Sequence, residues 1–244
     1  MNPLTKLVVA VVTAAAAVVL GGVIGPAMLI GAAVLAPAIS ARVLPRLLRF
    51  MLLFSLPIAI SALVVNLFFF PGGQEVLFRL GPVTATAEGL RFAIEILFRI
   101  AAISGAITLF YVTTRPSEFV LDLERRGVSP RLAFVANASV QTVPAMAERA
   151  AAIVAAQRAR GLDTEAGFFG RLRGIVPVAA PVILGSISEV EERSMALEAR
   201  AFTRPGRRSL LWHPPDSARQ RLVRWAVVGA FVVLVVVRLA GVAF

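Results

Sequence analysis

Long apolar stretches alternate with arginine-rich stretches along this chain. The first stretch, residues 7–41, carries no charge over 35 residues. As one straight helix it would be roughly 50 Å long, well beyond the ~30 Å hydrocarbon core of a bilayer. Gly21, Gly22, Gly25 and Pro26 lie near its middle, where a tight turn would fit. The pattern therefore favours two short spans that form a hairpin, with one tilted and kinked helix as the alternative.

Three later apolar stretches also have the length of a membrane span. They run from Phe50 to Phe70, from about Leu90 to Thr113, and from about Leu222 to Ala240. Each is close to the ~20 apolar residues that a transmembrane helix needs. Trp225 is placed as an interfacial anchor, and Arg224 can extend its charged end to the same boundary. Together with the hairpin, these stretches predict an all-α integral membrane protein with about five transmembrane helices.

The segment 115–221 has a different pattern, with 16 arginines and no uninterrupted stretch of spanning length. Apolar or small residues recur every three or four positions from Leu132 to Val154, which predicts an amphipathic helix that Gly161 would end. A second helix is predicted after GRLRGIVP at 170–177, and the Pro-Gly pair at 205–206 would stop it. The sequence thus indicates membrane helices in 1–114, two or three long amphipathic helices in 115–221, and a last membrane helix in 222–244.

One apolar run inside this segment does not have spanning length. Residues 175–187 number 13 and contain Pro177 and Pro181. A run this short is typical of an interfacial or re-entrant segment rather than a span.

The composition agrees with a membrane protein and limits which partners and functional sites the chain could have. The chain is 58% hydrophobic, its mean hydropathy is +0.84 and its formal charge is +11. A soluble protein this basic would suggest nucleic acid, but here the arginines alternate with spans and a single tyrosine offers little base stacking, so no nucleic-acid partner is expected. Cysteine is absent, which excludes disulfides and thiolate chemistry. The one histidine, His213 in LWHPPDS, is interpreted as a solvated loop residue, so neither a metal site nor a catalytic residue is expected.

The distribution of arginine predicts an orientation. If the hairpin forms, the N-terminus, the 42–49 loop and the 115–221 segment lie on one side, and these carry most of the positive charge. The opposite loop, from 71 to about 90, carries Arg79 as its one positively charged residue. The positive-inside rule then places the N-terminus and the arginine-rich segment in the cytoplasm, in a multi-pass membrane protein. The first apolar stretch is interpreted as a retained membrane segment rather than a cleaved signal.

The span that begins near Leu90 carries a charged stripe. Arg91, Glu95 and Arg99 are spaced by four and therefore share one helical face. Structural pairing is the favoured interpretation, because charges within membranes usually pair with one another, and a binding surface is the alternative.

Two similar triplets occur in the arginine-rich segment. AAQRARG at 155–161 and MALEARA at 195–201 each place an arginine between small residues near the predicted end of a helix. An arginine at a helix C-terminus suits the macrodipole, and small neighbours leave its guanidinium free to bind a carboxylate or backbone carbonyls. Positive-inside charge alone would also explain two such arginines.

The run from 113 to 161, which begins TTRPSEF and ends AQRARG, resembles the transmembrane component of energy-coupling factor transporters. The resemblance rests on TTRP after a span, a helix ending in RRGVSP, AQRARG, and EERSMALEARAFTRPGRR at 191–208. It covers the chain from about 90 to 208 well, and the earlier spans in pattern alone. Transmembrane components of biotin, cobalt and nickel uptake systems belong to this family.

The resemblance implies that two coupling helices dock, through Ala-Arg-Gly motifs, into grooves on a pair of ABC-type ATPase subunits. The docking residues would be Ala159, Arg160 and Gly161 in the first motif, and Ala199, Arg200 and Ala201 in the second. Alanine replaces the final glycine of the second motif, which puts in doubt any left-handed turn or close backbone approach there. A separate membrane subunit would capture the vitamin or transition-metal ion.

The chain itself would then be a non-catalytic coupling subunit without a cofactor. ATP and Mg²⁺ would bind the partner ATPases, and the sequence holds no G-x-x-x-x-G-K-[ST] phosphate loop. A self-sufficient secondary transporter is the alternative, although it would need two matched halves and polar sites at mid-membrane. A membrane enzyme would need a cluster of carboxylate, histidine or metal-binding groups facing a cavity.

Overall fold

The computed structural model describes residues 1–71, 75–80, 83–162, 168–202, 204 and 216–241. The chain divides into two compact units. The first unit combines Met1–Asp122 with Pro214–Phe244, and the second, which we call the helix-pair unit, is Leu123–His213.

The first apolar stretch is broken into two helical arms, as the sequence predicted. Helix α1 covers Pro3–Val19, and the second arm runs through α2 (Ile24–Leu29), a π-helical turn (Ile30–Leu35) and α3 (Ala36–Ser40). Between the arms Gly22 has a φ of 68°, a conformation that glycine adopts at no steric cost. The alternative of a single kinked helix is therefore wrong.

The longer apolar stretches form helices that begin three to six residues before the predicted starts and end within two residues of the predicted ends. These are α4 (Leu44–Phe68), α5 (Ala87–Thr113) and α9 (Ala218–Leu239). In the described part of the chain, four helical stretches are long and apolar enough to cross a membrane, namely these three and Gly174–Ala199. The two arms of the hairpin are shorter apolar helices. The expectation of an all-α membrane protein is confirmed.

A two-stranded hairpin, which the sequence analysis did not predict, joins α4 to α5. Strands β1 (Val76–Leu80) and β2 (Val83–Thr86) pair antiparallel, with Val76 opposite Thr86. The Thr86 hydroxyl then caps α5 by accepting from the Gly89 N–H at 3.2 Å. Gly89 is needed for close packing, because a Cβ there would lie 2.5 Å from the backbone oxygen of Asn66 in α4.

The core of the first unit is built from small residues at the contacts between helices. Ala10 of α1, Val34 and Ala38 of the second arm, Leu47 of α4 and Ala106 of α5 form one buried cluster. Small side chains let helix backbones approach closely, which is how helices associate in a membrane.

The helix-pair unit is dominated by two long helices. Helix α6 (Pro116–Arg125) leads into it, and α7 (Pro130–Ala159) and α8 (Phe168–Ala199) follow. Ser129 caps α7 by accepting from the Leu132 N–H, and Pro130 occupies the first helical position.

Helix α8 begins at Phe168 and is continuous through Pro177 and Pro181. The stretch Gly174–Ala199, which contains residues 175–187, is long and apolar enough to cross a membrane, so the expectation that this run is too short to span needs correction. A proline leaves the carbonyl four residues before it without its helical donor. For Pro181 that carbonyl belongs to Pro177, and the Gln157 side chain of α7 donates to it at 3.2 Å. The neighbouring helix thus satisfies the group that the proline releases.

The end of α8 also differs from the prediction. Helix α8 ends at Ala199, before the Pro-Gly pair at 205–206 that was expected to stop it and that lies outside the described residues. The guanidinium of Arg224 pairs with Asp216, and the Arg224 side chain is 11% exposed.

Candidate functional site

The first triplet forms the C-terminal end of α7. Arg160 is the C-cap residue, and Gly161 follows it with a φ of 92°. The Gly161 N–H donates to the Arg158 carbonyl at 3.0 Å, and the Leu162 N–H donates to the Gln157 carbonyl at 3.0 Å. These two bonds define a Schellman motif, which satisfies the last helical carbonyls and turns the chain back. We call Ala159, Arg160 and Gly161 the first arginine tip.

The second triplet ends α8 with the same geometry. The Ala201 N–H donates to the Glu198 carbonyl at 2.8 Å, and the Phe202 N–H donates to the Leu197 carbonyl at 2.9 Å. Ala201 has a φ of 53°, so alanine adopts the left-handed conformation that glycine adopts in the first tip. The doubt about a left-handed turn at this position is thereby resolved in favour of the turn. We call Ala199, Arg200 and Ala201 the second arginine tip.

Both tips are presented to the surroundings. All six of their residues are exposed. Within the part of the chain that the structure describes, the side chains of Arg160 and Arg200 make no hydrogen bond or ion pair. Beyond Gly161 and its two neighbours in the chain, no atom of the described residues lies within 4 Å of the place where a Cβ would stand at this position. Each guanidinium is therefore available for a bidentate contact with a partner.

The tips lie at opposite ends of an antiparallel helix pair. Phe134, near the start of α7, contacts Phe202 beside the second tip, with ring centroids 5.0 Å apart. Gln157, beside the first tip, contacts Pro177 near the start of α8. Because α7 has 30 residues and rises 1.5 Å per residue, the tips are roughly 40 Å apart.

A shared carboxylate joins the middle of the two helices. Glu189 of α8 accepts from Arg149 of α7 at 2.8 Å and from Arg193 of its own helix at 2.7 Å. Gly185, one turn before Glu189, lies beside the same arginine, since a Cβ there would be 3.8 Å from Arg149 Nη1. The spacing of four between Glu189 and Arg193 predicts the pair within α8, whereas no sequence pattern predicts the contact with α7.

The charged stripe of α5 contains one ion pair, as the favoured interpretation predicted, and one arginine that bonds a backbone carbonyl. Arg91 Nε lies 3.5 Å from Glu95 Oε1. One turn further, Arg99 donates to the carbonyl of Leu20 at 3.5 Å, where α1 ends. A cation at the C-terminus of a helix suits its macrodipole, so Arg99 stabilises the end of α1.

Two of the contacts that orient the tips were missed from the sequence. The Gln157–Pro177 contact has a partial signal, because a proline at 181 leaves a carbonyl of its own helix without a helical donor. The Phe134–Phe202 contact has no local signal, because its members belong to different helices. His213, interpreted as a loop residue, lies outside the described residues.

Known proteins are similar to this chain over most of its length. The model of the CbiQ family, described as cobalt transport protein, matches residues 1–210. The energy-coupling factor transporter transmembrane protein EcfT of Heliobacterium modesticaldum is 29% identical over 184 residues, 72% of this chain and 68% of that protein. EcfT of Exiguobacterium sibiricum is 32% identical over 152 residues, 59% of this chain and 57% of that protein.

A further relative has a different name. A protein of Bifidobacterium longum, named as an ABC transporter ATP-binding protein, is 28% identical over 182 residues. The alignment covers 71% of this chain and 23% of that protein.

Proposed function

The chain belongs to the EcfT/CbiQ family of transmembrane components of energy-coupling factor transporters, and we propose that it links ATP hydrolysis by two ABC-type ATPase subunits to uptake by a substrate-capture subunit. The cargo would be a vitamin or a transition-metal ion. The observation that carries this proposal is the pair of matched arginine tips at opposite ends of α7 and α8.

The geometry of the tips suits docking on two separate protein surfaces. Each tip ends its helix with the same pair of backbone hydrogen bonds, which fixes the position of its arginine relative to the helix axis. The roughly 40 Å between the tips leaves room for one subunit at each end. A bidentate arginine adds directional contacts with carboxylates or backbone carbonyls once the interface excludes water.

The helix pair can carry a displacement from one tip to the rest of the unit. Glu189 holds α7 and α8 together at mid-length, and the Gln157–Pro177 and Phe134–Phe202 contacts hold them near the two ends. When the ATPases close around ATP, the two tips would shift, and the paired helices would transmit that shift to the capture subunit. In this mechanism the chain contributes no catalytic residue and no cofactor site, and ATP with Mg²⁺ binds the partners.

The proposed partners agree with the name of one relative. The Bifidobacterium longum protein named for ATP binding contains a stretch similar to this chain in less than a quarter of its length. We infer that proteins of this type work together with ATP-binding domains. The arginine distribution supports a cytoplasmic helix-pair unit, where ATPases would be available.

Replacing both tip arginines tests the proposal. In an Arg160→Ala/Arg200→Ala double variant, we expect loss of co-purification with the ATPase subunits, because each docking contact loses its only charged group. Arg219→Ala/Arg221→Ala is the matched control, since it removes the same charge from exposed positions of α9. Co-purification of the tip variant at the control level would contradict docking by these residues. Substrate uptake by the purified chain without ATPases would instead favour a secondary transporter.

A further inference from the structure

Three helices of the first unit meet at a buried polar cluster around Asn2. Its side-chain amide donates to Asp122 Oδ1 of α6 at 3.0 Å, and its backbone N–H donates to Gln220 Oε1 of α9 at 2.8 Å. Its side-chain oxygen accepts from the Leu4 N–H at 2.9 Å and so caps α1. Asn2 is fully buried and Asp122 is 2% exposed. One N-cap residue therefore joins the start of α1 to both other helices.

A second set of bonds reinforces the same junction. The two terminal guanidinium nitrogens of Arg224 donate to the two carboxylate oxygens of Asp216, each at 3.0 Å. Arg224 also donates to the hydroxyl of Thr5 in α1 at 2.9 Å, and Thr5 is fully buried. A bidentate pair of this kind is strong and directional, and its two side chains are only 11% and 16% exposed.

This cluster lies where the chain leaves and rejoins the first unit. The helix-pair unit is inserted between Asp122 and Pro214, so Asp122 is the last residue before it. Asp216 follows shortly after the chain returns. On the first connection, Asp122 accepts a hydrogen bond from Asn2 at the start of α1. On the second connection, Asp216 accepts from Arg224, which also donates to Thr5 of α1.

A cavity borders the α1 helix just beyond these bonds. Its volume is about 310 Å³, and it is lined mostly by apolar side chains of α1, the second arm and α5. On α1 the lining residues are Lys6, Val9, Ala10 and Thr13. Side chains that face a cavity lack packing partners on that side, so less contact energy opposes a tilt of α1 in this direction.

We propose that Asn2, Thr5, Asp122, Asp216, Gln220 and Arg224 form a clamp that makes α1 move with the helix-pair unit. This inference rests on the proposed function, because the ATPases would generate the movement at the arginine tips. The clamp residues act as positioning residues, because their hydrogen bonds hold helix ends together. Helix α1 is thereby the membrane element that receives the motion, and the cavity beside it provides the room.

The clamp itself is tested on the purified full chain without partners. In Asp122→Ala we expect about tenfold faster hydrogen exchange in the first turns of α1, because a buried hydrogen bond to Asn2 is lost. Asp122→Asn keeps an oxygen acceptor and should restore protection. Glu124→Ala, on the same helix, is the control and should exchange like the unaltered chain. Equal protection in Asp122→Ala and Glu124→Ala would overturn the clamp whether or not the chain binds ATPases.

The movement is tested in the complex with the ATPases that co-purify with the chain. Because the sequence lacks cysteine, spin labels can be attached at Val11→Cys of α1 and Ile107→Cys of α5, two exposed positions. We expect a non-hydrolysable ATP analogue to change the distance between the labels. Arg224→Ala should abolish the change, whereas Arg221→Ala should retain it.

The outcomes separate the clamp from the docking proposal. A full distance change in assembled Arg224→Ala, or none in the unaltered complex, would overturn the coupling of α1. If Arg224→Ala does not assemble, Arg224→Lys keeps the charge without the bidentate fork and should show the same loss. A chain that captures no ATPase would instead contradict the proposed function and leave the exchange result standing.

Discussion

At the scale of single residues, the two arginine tips differ by one methyl group in a sterically sensitive place. Gly161 and Ala201 both follow a C-cap arginine and both have positive φ. In this region the Cβ of an L-residue crowds the backbone, and glycine avoids the cost. The second tip keeps the turn because the Schellman hydrogen bonds and the Phe134–Phe202 contact hold Phe202 against the helix pair.

Exchanging the residues at these positions should change stability in opposite directions. We expect Ala201→Gly to stabilise the chain by about 0.4–1 kcal/mol, raising Tm by about 1–4 °C, and Gly161→Ala to destabilise it by a similar amount. Thermal unfolding in detergent would measure both. Ala152→Gly, at an exposed position inside α7, is the matched control and should destabilise by about 1 kcal/mol. A loss of stability in Ala201→Gly would show that the left-handed turn is not strained.

At the scale of helices, the α7–α8 pair depends on a few polar contacts between largely exposed surfaces. Glu189 bonds one arginine on each helix, and these three side chains are between 32% and 46% exposed. Ion pairs with that much exposure contribute less than ~1 kcal/mol because water and salt screen them. We assign these ion pairs the role of fixing how the two helices align. Packing near the helix ends contributes the remaining stability of the pair.

The Glu189→Gln substitution tests that assignment. We expect Tm to fall by up to about 2–4 °C at low salt, since the shared carboxylate loses its charge, and the difference should shrink at high salt. Glu192→Gln is the control, because Glu192 is exposed and lies three residues further along the same helix. This substitution should leave Tm unchanged. Melting curves at two salt concentrations distinguish the variants. Identical curves for both would mean that the ion pair contributes nothing to the helix pair.

At the scale of the whole molecule, one unit holds most of the apolar helices and the other holds both arginine tips. The helix-pair unit is a single insertion, so the first unit is completed by chain segments from both sides of it. The chain connects the inserted unit to the first unit twice, after Asp122 and before Pro214. In our proposal, the clamp residues beside these two connections pass the motion of the tips to α1.

Orientation in the membrane is a prediction at this scale. Single cysteines can be introduced into the cysteine-free chain at Glu75, beside the β-hairpin, and at Ala155 of α7, both exposed. In intact cells, an impermeant thiol reagent should label Glu75→Cys. It should label Ala155→Cys only after the cells are permeabilised. The expectation follows from the arginine distribution. The reverse labelling pattern would contradict a cytoplasmic helix-pair unit.

The sequence by itself determined the class of protein, the positions of the spans and the two arginine triplets. These depend on local quantities: the length of an apolar stretch, the spacing of small residues, and glycine after a helix end. The break at Gly22, the end of α7 at Gly161 and the pairing of Arg91 with Glu95 followed from such patterns.

Tertiary structure alone decided the features that depend on two distant segments. Helix α8 continues through Pro181 because Gln157 of another helix satisfies the carbonyl that the proline releases. Ala201 turns left-handed although alanine disfavours it, since contacts outside the triplet hold the residue that follows. Asn2, Asp122 and Gln220 became a cluster only when three helix ends met. A pattern along the chain cannot reveal such groups, because the free energy that fixes them comes from contacts between residues far apart in sequence.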